Sequence, residues 1–179
     1  MTIELRTAVE TDIPAIRLLM GRAIDELQHD FLSAAEIAAS RAVMGLDTQL
    51  IADGTYFLAE INGTLAGCGG WSRRATLYGG DHSTSLRDAR LLDPRIEQAR
   101  IRAMFTDPAF ARRGVGSAIL KACENAAREA GFAAAELMGT MAGEPLYRSC
   151  GYRVVERTHS PAVDGVTVPL VKMAKVLAG

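Results

Sequence analysis

Apolar positions recur along the chain at two periods, and the changes of period mark its elements. Ile3 to Val9 alternates apolar and polar residues, which predicts a short strand. Thr11 and Asp12 then offer caps, Pro14 sits in a first turn, and Ile13, Ile16, Leu19, Met20, Ala23, Ile24 and Leu27 form one helical stripe. Ser33 and Glu36 stand at capping-box spacing before a second helix, with Ile37, Val43 and Met44 as its inner positions. Gln49 to Ala52 reads as a short strand. Tyr56 to Ile61 and Thr64 to Trp71 flank Asn62-Gly63, the strongest short hairpin signal. Glycines at 67, 69 and 70 weaken the second of these strands and invite close approach by another group.

Residues 72–98 break the pattern. This stretch is polar, contains Gly79-Gly80 and carries five arginines. Loops of that length in compact domains are commonly functional or mobile. It reads as a pocket wall or lid, with Arg73, Arg74, Tyr78, Asp81 and His82 as candidates, or else as a solvated insertion or dimer contact. Ala99 to Thr106 resumes as a strand. Strict alternation puts Ile101, Ala103 and Phe105 on one face and Arg100, Arg102 and Met104 on the other. Arginines on one face suit an edge or a cleft, so Arg102 is either a contact for an anionic part of a substrate or a surface residue in an ion pair.

After that strand come Asp107-Pro108, then Arg112-Arg113-Gly114-Val115-Gly116, then a helix with apolar positions at 115, 119, 122, 123, 126, 127 and 130 and Gly131 as its stop. A strand, a glycine turn with basic residues and a helix N-terminus make an anion site. The first helical N–H groups lack internal partners, the helix dipole is positive there, and arginine forks suit phosphate oxygens. The run lacks the lysine of a Walker loop and the third glycine of a dinucleotide fingerprint. Downstream, residues 133–137 read as a buried strand, 143–149 as a short helix carrying Tyr147, and 152–155 and 166–176 as final strands. Strands alternating with helices predict an α/β domain.

Composition narrows the function. A chain of 179 residues with 49% hydrophobic and 23% charged residues suits one globular domain. Its net charge of −1 implies no general affinity for nucleic acid or anionic membrane. Cys68, Cys123 and Cys150 lack metal spacing and read as reduced, packed thiols, so no metal site is expected. Met1 leads straight into a strand-like run, and no apolar stretch approaches the ~20 residues that span a bilayer. A cytoplasmic protein is the expectation.

The run Met104 to Leu120 resembles the acetyl-CoA loop of the GCN5-related N-acetyltransferases, and Leu146-Tyr147-Arg148-Ser149-Cys150-Gly151-Tyr152 resembles that family's second signature. Ala111 stands where the family often has Gln or Arg, and Thr140 where it often has Asn. The resemblance implies a single acyl-CoA N-acyltransferase domain over 1–179, with a mixed, mostly antiparallel central sheet and flanking helices. It implies acetyl-CoA as acyl donor, held by Met104, Phe105, Thr106, Ala111, Arg112, Arg113, Gly114, Val115, Gly116, Ser117, Thr140 and Tyr147. Tyr147 would protonate the departing thiolate, or only pack against the cofactor. Glu60 is the first choice of base by analogy, ahead of His82 and Asp81. His29, Phe31, Trp71 and Arg102 are the expected acceptor contacts. The acceptor would be an amine of a small molecule or a peptide, and a homodimer suits the family. A non-catalytic acyl-CoA-binding module is the competing reading.

Overall fold

The computed structural model describes residues 1–177; the last two residues of the expected domain lie outside the described residues. The chain runs β1 (Ile3–Thr7), α1 (Ile13–Glu26), α2 (Ala34–Ser40), α3 (Thr48–Ala52), β2 (Tyr56–Ile61), β3 (Thr64–Ser72), β4 (Ala99–Thr106), α4 (Val115–Glu129), β5 (Ala134–Thr140), α5 (Glu144–Ser149), β6 (Arg153–His159) and β7 (Pro169–Val176). The strands form one sheet of seven in the order β1-β2-β3-β4-β5-β7-β6. Every pairing is antiparallel except β4 with β5, which the α4 crossover makes parallel.

Helices cover both faces. Ile16, Leu19, Ile24 and Ile37 of α1 and α2 pack with Leu58 and Phe105 on one side. Val115, Ile119, Cys123 and Ala127 of α4 pack with Ile101, Leu137 and Met173 on the other. The Asn62-Gly63 turn forms as expected, with φ of 51° and 76°. The Ser33–Glu36 capping box also forms, in both directions. Asp12 flanks α1 but its side chain caps no amide of that helix, because its carboxylate accepts from Arg6 and from the Val9 amide before it.

Two sequence expectations fail for physical reasons. Gln49 to Ala52 is helical, because the Asp47 carboxylate accepts from the Gln49 amide at 3.0 Å and starts α3. Strict alternation along β4 also fails. Cys68 of β3 faces Phe105 and Gly70 faces Arg102, so Gly69 alone spans Ala103 and Met104. That extra residue is a β-bulge, with Ala103 at φ 50°. The bulge returns Met104 to the α4 side with Ile101, while Ala103 and Phe105 pack on the α1 side. The fully buried Tyr56 hydroxyl donates to the Ala103 carbonyl at 2.7 Å and holds the bulge in place.

The β3 glycines answer to packing. A Cβ at Gly67 would lie 2.5 Å from Val115 Cγ1, and one at Gly69 would lie 2.2 Å from Met104 Sδ. They let α4 and the bulge sit directly on the sheet. Glu144 of α5 accepts from Arg148 and, at 2.9 and 3.0 Å, from Arg157 of β6. Arg157 first and Arg148 second pull its carboxyl down to about 2 from an ordinary 4.5.

Two outcomes follow from these contacts. Gly67→Ala should destabilise the fold by about 1–3 kcal/mol through overpacking, and Val115→Ala in the same chain should recover part of that loss. Urea unfolding of the two single variants and the double variant measures the coupling. The Glu144 cluster contributes stability that is complete above pH 4.5 and is lost as pH falls through about 2. Thermal melts across that window should show the loss, and Glu144→Gln should flatten it.

Candidate active site

The anion loop is built from backbone. Asp107 fixes its start: its amide donates to Ala66, and its carboxylate accepts from the Ala109 amide and from Arg22 of α1 at 2.6 Å. Arg112 and Gly114 then take left-handed conformations, φ 62° and 84°, and turn the chain into α4. The first helical bond runs from the Ala118 amide to Gly114. Among the described residues, the six amides from Arg112 to Ser117 therefore donate to no protein group. A run of free amides closed by a helix N-terminus fits a pyrophosphate. The Arg112 and Arg113 side chains are exposed beside it, with Arg113 over the Phe110 ring at 5.6 Å. Gly116 has a further role, since a Cβ there would meet Leu146 of α5 at 2.7 Å.

The cleft lies where β4 leaves β5. The two strands pair only at Ala99–Ala135 and Arg100–Glu136. Arg100 and Lys172 both pair with Glu136 and clamp that end. Beyond it β4 follows β3 and β5 follows β7, and a cavity opens between them, lined by Ile101 to Phe105 on one strand and Leu137 to Thr140 on the other. Gly143 and Tyr147 bound it on the α4 side; the 43–45 turn and residues 77–79 bound it on the α1 side. The opening thus passes through the sheet and has a wall on each face.

Tyr147 is the polar group at one wall. Gly139 and Gly143 leave room for its ring, as Cβ atoms there would lie 3.3 and 3.0 Å from Cε2. Its hydroxyl makes no protein hydrogen bond among the described residues, and burial pushes its phenol well above the ordinary value. It therefore keeps its proton at neutral pH, with no protein acceptor for it among those residues. Thr140 lines the same cavity, and its hydroxyl accepts from the Gly143 amide at 3.1 Å. Of the expected donor-site residues, Met104, Phe105, Thr140 and Tyr147 come together in the cleft, and 111–117 form the loop.

The expected acceptor residues fare unevenly. Glu60 lies outside the cleft; Arg6 donates to its Oε1 at 3.1 and 3.2 Å in a cluster shared with Asp12. Trp71 is buried edge-on against Phe132 at 6.0 Å with Arg73 over its ring, so it packs and does not line the cavity. His29 and Phe31 are exposed beyond α1, also outside the cavity lining. Arg102 does line it, yet on a central strand and only 3% exposed; its Nη2 donates to Asp47 at 3.1 Å and to the Gly79 carbonyl at 2.8 Å. Of the alternatives expected for it, the cleft holds, and the edge or surface position does not: its partner Asp47 is buried with it.

The long insertion is a fixed wall. Asp81 accepts from Thr48, His82 Nε2 sits 2.6 Å from the Arg41 carbonyl, Ser83 donates to Ala42, and Arg74 pairs with Asp53. Of its five candidates only Tyr78 lines the cavity; the others anchor it. Sequence reading missed Asp47, which gathers Arg87, Arg102 and the Gln49 amide. Its one local signal was an aspartate directly before Thr48, an N-cap residue for a helix read there as a strand. It also missed Tyr56, which carries no local signal of its reach to Ala103.

A family model described as the acetyltransferase (GNAT) family matches residues 22–152. No curated protein matches by sequence. Among solved structures, a GCN5-related N-acetyltransferase of Rhodopseudomonas palustris superposes with a TM-score of 0.71 at 17% identity, over 98% of this chain and 96% of that one. YncA from Salmonella typhimurium, solved with acetyl-CoA, gives 0.66 at 18% identity over 100% and 96%. The PaiA N-acetyltransferase of Thermoplasma acidophilum, solved with coenzyme A, gives 0.65 at 14% over 98% and 99%. At such identities the structural likeness speaks for the fold, while the family model spans most of the sequence; the chain belongs to the GNAT acetyltransferase family.

Proposed function

We propose that the chain is a single acetyl-CoA-dependent N-acetyltransferase domain that acts on a primary amine. The observation that carries this reading is the run of unpartnered amides from Arg112 to Ser117 beside a through-sheet cleft with a free tyrosine hydroxyl. The amides take the pyrophosphate, with the two arginines adding charge. The parted edge of β4 at Met104 to Thr106 lies along the pantetheine arm, and an amide there polarises the thioester carbonyl. Structures of the same fold solved with coenzyme A and acetyl-CoA support acetyl-CoA as the donor.

The amine nitrogen attacks the thioester carbonyl carbon, and the carbon–sulfur bond breaks. The departing thiolate takes the Tyr147 hydroxyl proton, the nitrogen's surplus proton passes to water, and the tyrosinate recovers a proton from water before the next turnover. Glu60 has no part in this step, since it faces Arg6. Among the described residues no carboxylate or imidazole lines the cavity; its ionisable groups are Arg102, Tyr78 and Tyr147. Attack must then begin from neutral amine. A primary alkylamine with pKa near 10.4 is about one part in two thousand neutral at pH 7, a deficit of about 4–5 kcal/mol. The Arg102 charge and the apolar walls both disfavour the ammonium form inside the cleft.

A thiol-release assay with acetyl-CoA and a panel of amines tests the reading. Tyr147→Phe should lower kcat about 10²-fold with acetyl-CoA's KM little changed. Replacing Arg112 and Arg113 together by alanine should raise that KM by about tenfold or less, as the arginines are exposed and the amides remain. Acetyl-CoA binding with no thiol release from any amine would favour a sensor instead. In a pH series, kcat/KM should rise about tenfold per pH unit toward the amine's own pKa; a plateau near pH 7 would point to a base within the protein.

A further inference from the structure

Arg102 is the only charged side chain on the cavity wall among the described residues, and its bonding is one-sided. Both of its protein hydrogen bonds, to Asp47 and to the Gly79 carbonyl, leave from Nη2. The Nε–H and the Nη1–H groups have no protein partner among the described residues. Nor are they sealed in. The buried side-chain nitrogens and oxygens that lack both a partner and solvent contact are Gln28 Oε1 and Gln98 Oε1, and no Arg102 atom is among them. So a guanidinium 3% exposed in total keeps its small open area at unspent donors on a cavity wall.

The anchoring is costly and specific. A buried arginine without a partner would be expelled or neutralised, and Asp47, itself buried, prevents that. Asp47 also accepts from Arg87 and caps α3, so its charge is divided among several donors. That leaves the cavity side of Arg102 under-neutralised. The surrounding wall on this face is apolar, with Val43, Met44, Leu77, Met138 and Leu170. Unpaired donors of a fixed cation in an apolar pocket call for an anion that brings its own apolar body. A carboxylate is the fitting anion: one negative charge answers one shared guanidinium, where a phosphate dianion would be left unbalanced.

Building on the amine-acetylation reading, we infer that the acceptor is an amine bearing a carboxylate and an apolar side chain, an apolar amino acid in chemical class, with its carboxylate held by the free donors of Arg102. Arg102 is on this view the specificity-determining residue.

Matched acceptors test it on the full chain with acetyl-CoA. Leucine, leucinamide and 3-methylbutylamine share an apolar body and differ in the carboxylate. With kcat/KM expressed per neutral amine, leucine should exceed the other two by about tenfold to hundredfold. Arg102→Lys keeps a charge facing Asp47 but cannot serve two partners, and should erase most of that preference while leaving acetyl-CoA's KM alone. Because that variant risks misfolding, 4-methylpentanoate is also tested on the unaltered protein. It should inhibit competitively against 3-methylbutylamine and not against acetyl-CoA. Equal turnover of all three acceptors, or no competition by the acid, overturns the assignment and leaves amine acetylation standing. No thiol release from any amine, with acetyl-CoA bound, overturns both.

Discussion

The site depends on how little β4 and β5 share. They are hydrogen-bonded at one end, where Arg100, Glu136 and Lys172 clamp them, and apart everywhere else. A parallel pair joined through a helix need not stay in register along its length, and here each strand finds a better partner on its other side. The result is a sheet with a gap in it. The gap gives a ligand access to free main-chain groups of β4 without exposing a sheet edge to other chains. Tyr56 and the bulge at Ala103 set the direction in which β4 departs.

Packing around the gap is tight because small residues were placed where large ones would block it. Gly67 and Gly69 bring α4 onto the sheet, so the helix N-terminus comes level with the mouth of the gap. Gly116 lets Leu146 close against α4, and Gly139 and Gly143 seat the Tyr147 ring. Donor loop, tyrosine helix and sheet are thus locked together by contacts at van der Waals distance. Glycine here answers to neighbours' side chains as much as to backbone freedom.

What was legible in the sequence is what local chemistry decides. The hairpin at Asn62-Gly63, the capping box at Ser33 and the glycine turn into α4 are each specified within a few residues, and all three form. Most of the half proposed for the donor is one continuous stretch, residues 104–117, so it too could be read. The half proposed for the acceptor is assembled from the 43–45 turn, residues 77–79 and β4, with Asp47 and Arg102 meeting across 55 positions. No single stretch carries that pattern. Alternation along β4 misled because one inserted residue reverses every assignment after it. Glu60 misled because its strand was right and its neighbour Arg6, far away in sequence, was not visible.

The 72–98 wall is fastened mainly by side chains and carbonyls of the turns around 41–53, together with its own internal bridge between Arg74 and Leu91. Beyond Ser72, which pairs with Arg100 at the end of β3, it contributes no rung to the sheet ladders. Closing a longer or shorter loop costs little, since the entropy grows only with the logarithm of length. A change in the length or lining of this segment therefore leaves the sheet ladders and the 112–117 turn in place. The wall of the cavity can thus change shape while Arg102, carried by β4, keeps its place in the sheet.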